Sequence, residues 1–262
     1  MENNNSKLRA KDRLIVALDY DNLNDAINIV EDLGNSVEIY KVGLEIFLNT
    51  NGNIIDYLKL KKKKIFLDLK FHDITNTVKK ACEYAIDKDI FMFNVHVANG
   101  SKTMSVISEI ALKKKSNSII LGVTVLTSLD INDINEIYDS SYNNVNAIVN
   151  NMAGLVKKSG LTGIVCSAQE AKSIKEKHGA DFITVCPGVR PSFSSTDDQV
   201  RVMTPYEAIK NGADYLVIGR PITSHSDPRT AVEMICSEME GVKIWSSWKM
   251  ERTQEMNQWA FW

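Results

Sequence analysis

Eight short β-rich runs recur along the chain, each followed by a stretch of helical periodicity, and this alternation constrains the fold more than any other feature. The runs fall at 14–18, 37–42, 64–70, 91–97, 119–125, 163–167, 182–186 and 215–219. They are apolar and β-branched, the composition of strands covered on both faces, as in a parallel sheet. After the first run, Leu23, Ala26, Ile27, Val30 and Leu33 share one helix face, and Gly34 stands where a C-terminal cap belongs. After the fifth, Val145, Ile148, Val149, Met152 and Val156 repeat the pattern. Thr204-Pro205-Tyr206-Glu207 is a capping-box sequence with proline at the first helical position, and Asp227-Pro228 starts the last helix in a similar way. Eight such units predict an α/β chain folded as a single-domain (β/α)8 TIM barrel, whose usual size is ~250 residues. A doubly wound open sheet is the competing arrangement, and periodicity alone does not exclude it.

Composition narrows the function classes. With 31 Lys+Arg against 33 Asp+Glu, the chain lacks the basic footprint of a nucleic-acid binder. Its 44% apolar content supports a buried core rather than disorder. No apolar run approaches the ~18–20 residues that span a bilayer, and the polar start of the chain shows no secretory signal, so no membrane partner is expected. Cys82, Cys166, Cys186 and Cys236 have neither zinc nor disulfide-scaffold spacing, which predicts reduced thiols in a cytoplasmic protein. His72, His96, His178 and His225 show no metal-binding register, so no metal centre is expected. Residues 1–12 read as a loose polar extension, 13–240 as the barrel, and 241–262 as a tail holding all four tryptophans, Trp245, Trp248, Trp259 and Trp262. That tail could dock on the barrel, contact another chain or remain an unstructured extension.

Barrel enzymes carry their chemistry at the C-terminal ends of the strands. Those ends hold Asp19, Lys41, Asp68, Lys70, Asp73, Thr127, Ser128, Arg190 and Arg220, which apolar strands do not explain. In Lys64-Ile65-Phe66-Leu67-Asp68-Leu69-Lys70, alternate residues share a face, so Asp68 and Lys70 point together into the mouth while Leu67 and Leu69 face the helices. With Asp73 they make a carboxylate–ammonium–carboxylate cluster. A solvated ion-pair group would contribute only ~0–1 kcal/mol; at the end of an apolar strand the pattern favours function. Pro187-Gly188-Val189-Arg190-Pro191 and Gly219-Arg220-Pro221 follow the last two strands, the common phosphate site of such barrels. Glycine admits backbone N–H groups close to an anion, and arginine supplies bidentate recognition. Between these loops, residues 192–203 form a polar, aperiodic stretch of the kind that serves as a lid, with Gln199 its most versatile amide.

These segments resemble the orotidine 5′-phosphate decarboxylase family in its bacterial-type form, from about Arg13 to Glu240. The matching motifs are Ala17-Leu18-Asp19, Tyr40-Lys41-Val42-Gly43, Leu67-Asp68-Leu69-Lys70-Phe71-His72-Asp73-Ile74, Asn94-Val95-His96, Val125-Leu126-Thr127-Ser128, Pro187-Gly188-Val189-Arg190-Pro191, Asp198-Gln199-Val200-Arg201 and Ile218-Gly219-Arg220-Pro221. The Asp-x-Lys-x-x-Asp triplet alone is shared with related barrels; the arginine loops and the glutamine lid make the match specific. The tryptophan-rich tail has no counterpart in it. The resemblance implies conversion of orotidine 5′-phosphate to uridine 5′-phosphate and carbon dioxide, the last step of de novo pyrimidine synthesis. It also implies no metal or organic cofactor, and a homodimer with shared active sites. Lys70 is then the proton donor, Asp68 lies near the substrate carboxylate, and Asp73 and Thr77 are lent by the partner subunit. Asp19 and Lys41 contact the ribose, Lys41 also joining the charged network, and Ile74 belongs with the substrate-binding residues. Thr127 and Ser128 lie at the pyrimidine, the main contact between them left open. Arg190, Gln199, Gly219 and Arg220 gather the phosphate, Gln199 bridging towards the base. The rivals are a metal-dependent sugar-phosphate aldolase or decarboxylase with the same triplet, and a catalytically silent phosphate-binding or interaction protein.

Overall fold

The computed structural model describes residues 9–194 and 203–242. Gln199 and the four tryptophans lie outside the described residues. The chain enters through α1 (Ala10–Arg13) into β1 (Leu14–Leu18), then α2 (Leu23–Leu33), β2 (Ile39–Gly43), α3 (Leu44–Asn49), α4 (Asn53–Leu60), β3 (Lys64–Phe71), α5 (Thr75–Asp87), β4 (Met92–His96), α6 (Gly100–Lys113), β5 (Ile119–Val123), α7 (Ile131–Tyr138), α8 (Val145–Lys158), β6 (Gly163–Val165), α9 (Ala168–His178), β7 (Ile183–Cys186), α10 (Pro205–Lys210), β8 (Tyr215–Ile218), α11 (Arg220–Thr223) and α12 (Pro228–Met239). The strands pair in sequence order, all parallel, and β8 pairs with β1. The sheet is therefore a closed (β/α)8 barrel, and the open-sheet alternative is overturned. Ala10 is buried and opens a helix, so the loose polar extension expected up to residue 12 is shortened.

Strand parity divides the core into two layers. Ile15, Ala17, Ile39, Phe66, Met92, Leu121, Val185, Tyr215 and Val217 fill the lumen. Residues of opposite parity, such as Leu14, Val16, Tyr40, Leu67, Phe93 and Leu216, pack outward against the helices. Local signals set the helix ends. Asn22 caps α2 by accepting Asp25 N–H at 2.9 Å, and Gly34, at φ 49°, closes it with an N–H to Val30 O. The buried stripe of α2 runs through Ala26, Ile29, Val30 and Leu33, with Ile27 only half-buried, so the helix is rotated slightly from the face its periodicity indicated. Capping boxes begin α9 (Ser167 with Glu170) and α10 (Thr204 with Glu207).

The N-terminal end of the barrel is closed by a polar clamp. Asp214 Oδ2, immediately before β8, accepts Lys175 Nζ from α9 at 2.6 Å, Thr184 N–H from β7 at 2.7 Å and Thr184 Oγ1 at 3.2 Å. Arg13 spans the seam between β1 and β8 by donating to the carbonyls of Ala213 and Asp214. Burial lowers the Arg13 guanidinium from its usual value, and the nearby Asp214 charge offsets part of that effect.

Candidate active site

At the opposite end of the barrel, four charged side chains from three neighbouring strands touch in series. Asp19 follows β1, and its Oδ1 receives Lys41 Nζ at 2.9 Å. Lys41, in β2, also lies 3.8 Å from Asp68 Oδ2, and Asp68 Oδ1 receives Lys70 Nζ at 2.9 Å. Carboxylate and ammonium alternate along this row. Lys41 and Asp68 are largely enclosed, with side chains 13% and 14% exposed, while Lys70 and Asp19 open towards solvent. Gly43 makes the crowding possible: a Cβ there would stand 3.0 Å from Lys41 Nζ.

Parity in β3 follows the sequence expectation, with Leu67, Leu69 and Phe71 packed outward and Phe66 in the lumen. The ladder to β4 is irregular, however. Leu67 pairs with Phe93 and Phe71 with Val95, so β3 carries two extra residues in that interval, an even number that preserves the in–out alternation. Lys70 sits in this bulge with a left-handed φ of 50°. Asn94, buried on β4, accepts Lys70 N–H at 2.8 Å and donates to Asp68 Oδ1 at 2.7 Å. The sequence reading left this asparagine out of the site. Its signal was available: Met92, Asn94 and His96 share the inward parity of an otherwise apolar strand.

Asp73 is not brought to Lys70 within the chain. Its Oδ1 accepts Ile74 N–H at 2.6 Å, and its own N–H donates to Asn99 Oδ1 at 3.2 Å. Asn99 also donates to Phe71 O at 2.7 Å, pinning the turn between β3 and α5 from both sides. Asp73, Ile74 and Thr77 are exposed, Ile74 by 73%. The rings of His72 and His96 stack with centroids 5.1 Å apart. Burial, then the proximity of His72 and Lys70, lowers the His96 pKa, and His96 Nδ1 accepts Ala98 N–H at 3.2 Å.

On the other side of the mouth, Val189 bridges Met203 and Arg190 N–H donates to Met203 O at 3.0 Å, so the chain is sewn together on either side of residues 195–202. Ser192 donates from its N–H and hydroxyl to Glu238 Oε2, anchoring this segment to α12. Arg190 is half-buried, and Arg220 opens α11 at an exposed position. Gly219 lies against the other end of the charged row: a Cβ there would be 3.4 Å from Asp19 Oδ2. Thr127 and Ser128 are exposed in the turn beyond β5. Among the described residues, no three His, Cys, Asp or Glu side chains converge as a metal-ligating group, and no helix is long and apolar enough to cross a membrane.

Comparison with known proteins bears on the same stretch of chain. The model of a family described as Orotidine 5′-phosphate decarboxylase / HUMPS family matches residues 12–235. An orotidine 5′-phosphate decarboxylase of Carboxydothermus hydrogenoformans is 43% identical over 236 residues, covering 88% of this chain and 97% of the relative. Its counterpart from Saccharophagus degradans is 39% identical over 236 residues, covering 89% and 98%. The crystal structure of orotidine 5′-phosphate decarboxylase from Lactobacillus acidophilus superposes with a TM-score of 0.75 at 34% identity, covering 86% of this chain and 98% of that one.

Proposed function

The chain belongs to the orotidine 5′-phosphate decarboxylase / HUMPS family, and from that premise we propose that it converts orotidine 5′-phosphate to uridine 5′-phosphate and carbon dioxide with the charged row at its barrel mouth. The observation that carries this reading is the Lys70 ammonium, held 2.9 Å from Asp68 at the C-terminal rim of a closed barrel. Relatives matching nearly their whole length carry the decarboxylase name, which favours this activity over that of a metal-dependent barrel with the same triplet.

The chemistry fits such an ammonium. When the bond from C6 to the carboxyl group breaks, its electron pair stays on C6 in the ring plane, where the π system does not delocalise it. An ammonium about 4 Å from that charge contributes ~4 kcal/mol at an effective dielectric near 20, and preorganisation removes the cost of reorienting solvent. Lys70 then passes a proton to C6, forming the new C–H bond, and recovers one from solvent. Asp68 stands beside the departing carboxylate, and their repulsion is relieved as carbon dioxide leaves. Asp19 and Lys41 hold the ribose hydroxyls. Arg190, Gly219 and Arg220 receive the phosphate with Gln199, and Thr127 and Ser128 meet the pyrimidine. Phosphate binding, remote from C6, supplies energy for positioning. The exposure of Asp73 and Thr77 supports a homodimer in which these two residues complete the partner's site.

The test is an ultraviolet assay of orotidine 5′-phosphate consumption by the purified chain in excess chelator. Full turnover is expected; turnover that appears only on adding Mg2+ overturns the metal-free reading, and none under either condition overturns the activity. Arg220→Ala should raise KM by on the order of 10²-fold, matching loss of a charge-assisted phosphate contact, with a smaller change in kcat. An unchanged KM would remove Arg220 from the phosphate site.

A further inference from the structure

Asn94 is 0% exposed, and its amide serves both halves of the central ion pair. Its Oδ1 accepts the backbone N–H of Lys70 at 2.8 Å, and its Nδ2 donates at 2.7 Å to the Asp68 oxygen that also receives Lys70 Nζ. The regular β3–β4 ladder is interrupted here, and Lys70 holds a left-handed backbone. Such a conformation in a non-glycine residue persists only where the surroundings over-determine it. The Asn94 side chain takes the place of the missing ladder contact.

We infer that Asn94 is a positioning residue for the decarboxylation: its amide fixes the bulge that carries Lys70 and orients the Asp68 carboxylate towards the Lys70 ammonium. This rests on the reading of Lys70 as the proton donor. An amide suits the task because it is at once acceptor and donor. A carboxylate in its place keeps the acceptor for Lys70 N–H, but loses the donor to Asp68 and sets two negative oxygens in contact. The charged and titratable groups around the pair are Asp68 and Lys70 on β3, Lys41 on β2 with its partner Asp19, and His96 on β4 with His72 stacked on it. On β5 the residue paired with Asn94 is the apolar Leu121.

The test compares kcat, KM and thermal unfolding for the wild type, Asn94→Asp, Asn94→Ala and Lys70→Ala. Asn94→Ala should lower kcat on the order of 10²-fold, with KM within about twofold, because the loss is one of alignment rather than of substrate binding. Asn94→Asp should be equally impaired at about pH 8, but its activity relative to wild type should recover at least about tenfold by about pH 5.5. There the two carboxyl groups take up a shared proton, and the hydrogen bond between them is remade. A merely structural role gives no such recovery. A relative activity of Asn94→Asp that is flat with pH, or wild-type kcat in both variants, overturns the inference. If Asn94→Ala does not fold, the near-isosteric Asn94→Asp decides alone. Lys70→Ala separates the two levels: normal turnover there sinks the proton-donor reading itself, whereas an inactive Lys70→Ala beside fully active Asn94 variants sinks only the role of Asn94.

Discussion

Lys70→Ala should lower the turnover of orotidine 5′-phosphate by roughly five orders of magnitude while leaving the thermal unfolding of the protein nearly unchanged. On the proposed mechanism, two contributions are lost together. The field of the ammonium at the developing charge is worth ~4 kcal/mol, close to three decades of rate. The positioned proton donor contributes a further ~10²-fold or more. The fold is spared because Lys70 sits at the rim, partly open to solvent, and its backbone is held through the N–H rather than the side chain. Single-turnover kinetics with product analysis measures the loss, and a rate within tenfold of wild type removes Lys70 from the chemistry.

Asp214→Ala has the largest expected effect on stability, about 3–5 kcal/mol. One carboxylate oxygen satisfies a lysine ammonium, a backbone N–H and a hydroxyl in an enclosed setting. Without it the Thr184 N–H loses its Asp214 acceptor, and among the described residues Lys175 keeps the carbonyls of Ala180 and Phe182. Because the clamp lies at the end of the barrel away from the charged row, kcat of the folded fraction should stay at the wild-type level. Denaturant unfolding with an unchanged midpoint would show the clamp to be dispensable. Lys175→Met, which removes the charge and keeps apolar volume, should cost less than Asp214→Ala, since the remaining carboxylate still holds Thr184.

The barrel was legible because most strand residues are buried on both faces, so that the strands read as largely apolar runs. The limits of the strands were less so. The sixth run extends to residue 167 in the sequence, but Ser167 turns its side chain to cap α9, and β6 ends at Val165. Two helices, α3 and α4, stand between β2 and β3, and two more, α7 and α8, between β5 and β6. Charges on apolar strands exposed the row Asp19, Lys41, Asp68 and Lys70, since solvation alone does not explain them there. The bulge at Lys70 was hidden. Neither Leu69 nor Lys70 carries a preference for left-handed backbone, and the residue that holds it, Asn94, belongs to another strand. Nor does a lone glycine in β2 announce that its missing side chain makes room for an ammonium, as Gly43 does. Such information lies in contacts between strands.

The pairing of β1 with β8 also dictates an order of events during synthesis. Arg13 and the carbonyl it grips are 201 residues apart, so the first strand leaves the ribosome long before its second neighbour exists. Until then one edge of the nascent sheet, Leu14 to Leu18, stays unpaired and open to adhesion with other chains. Asp19 waits equally long for the Gly219 loop that completes its surroundings. The mouth of the barrel is thus finished only once β8 and the loop after it have been made, and a chain truncated before Tyr215 would have neither a sealed sheet nor a complete mouth.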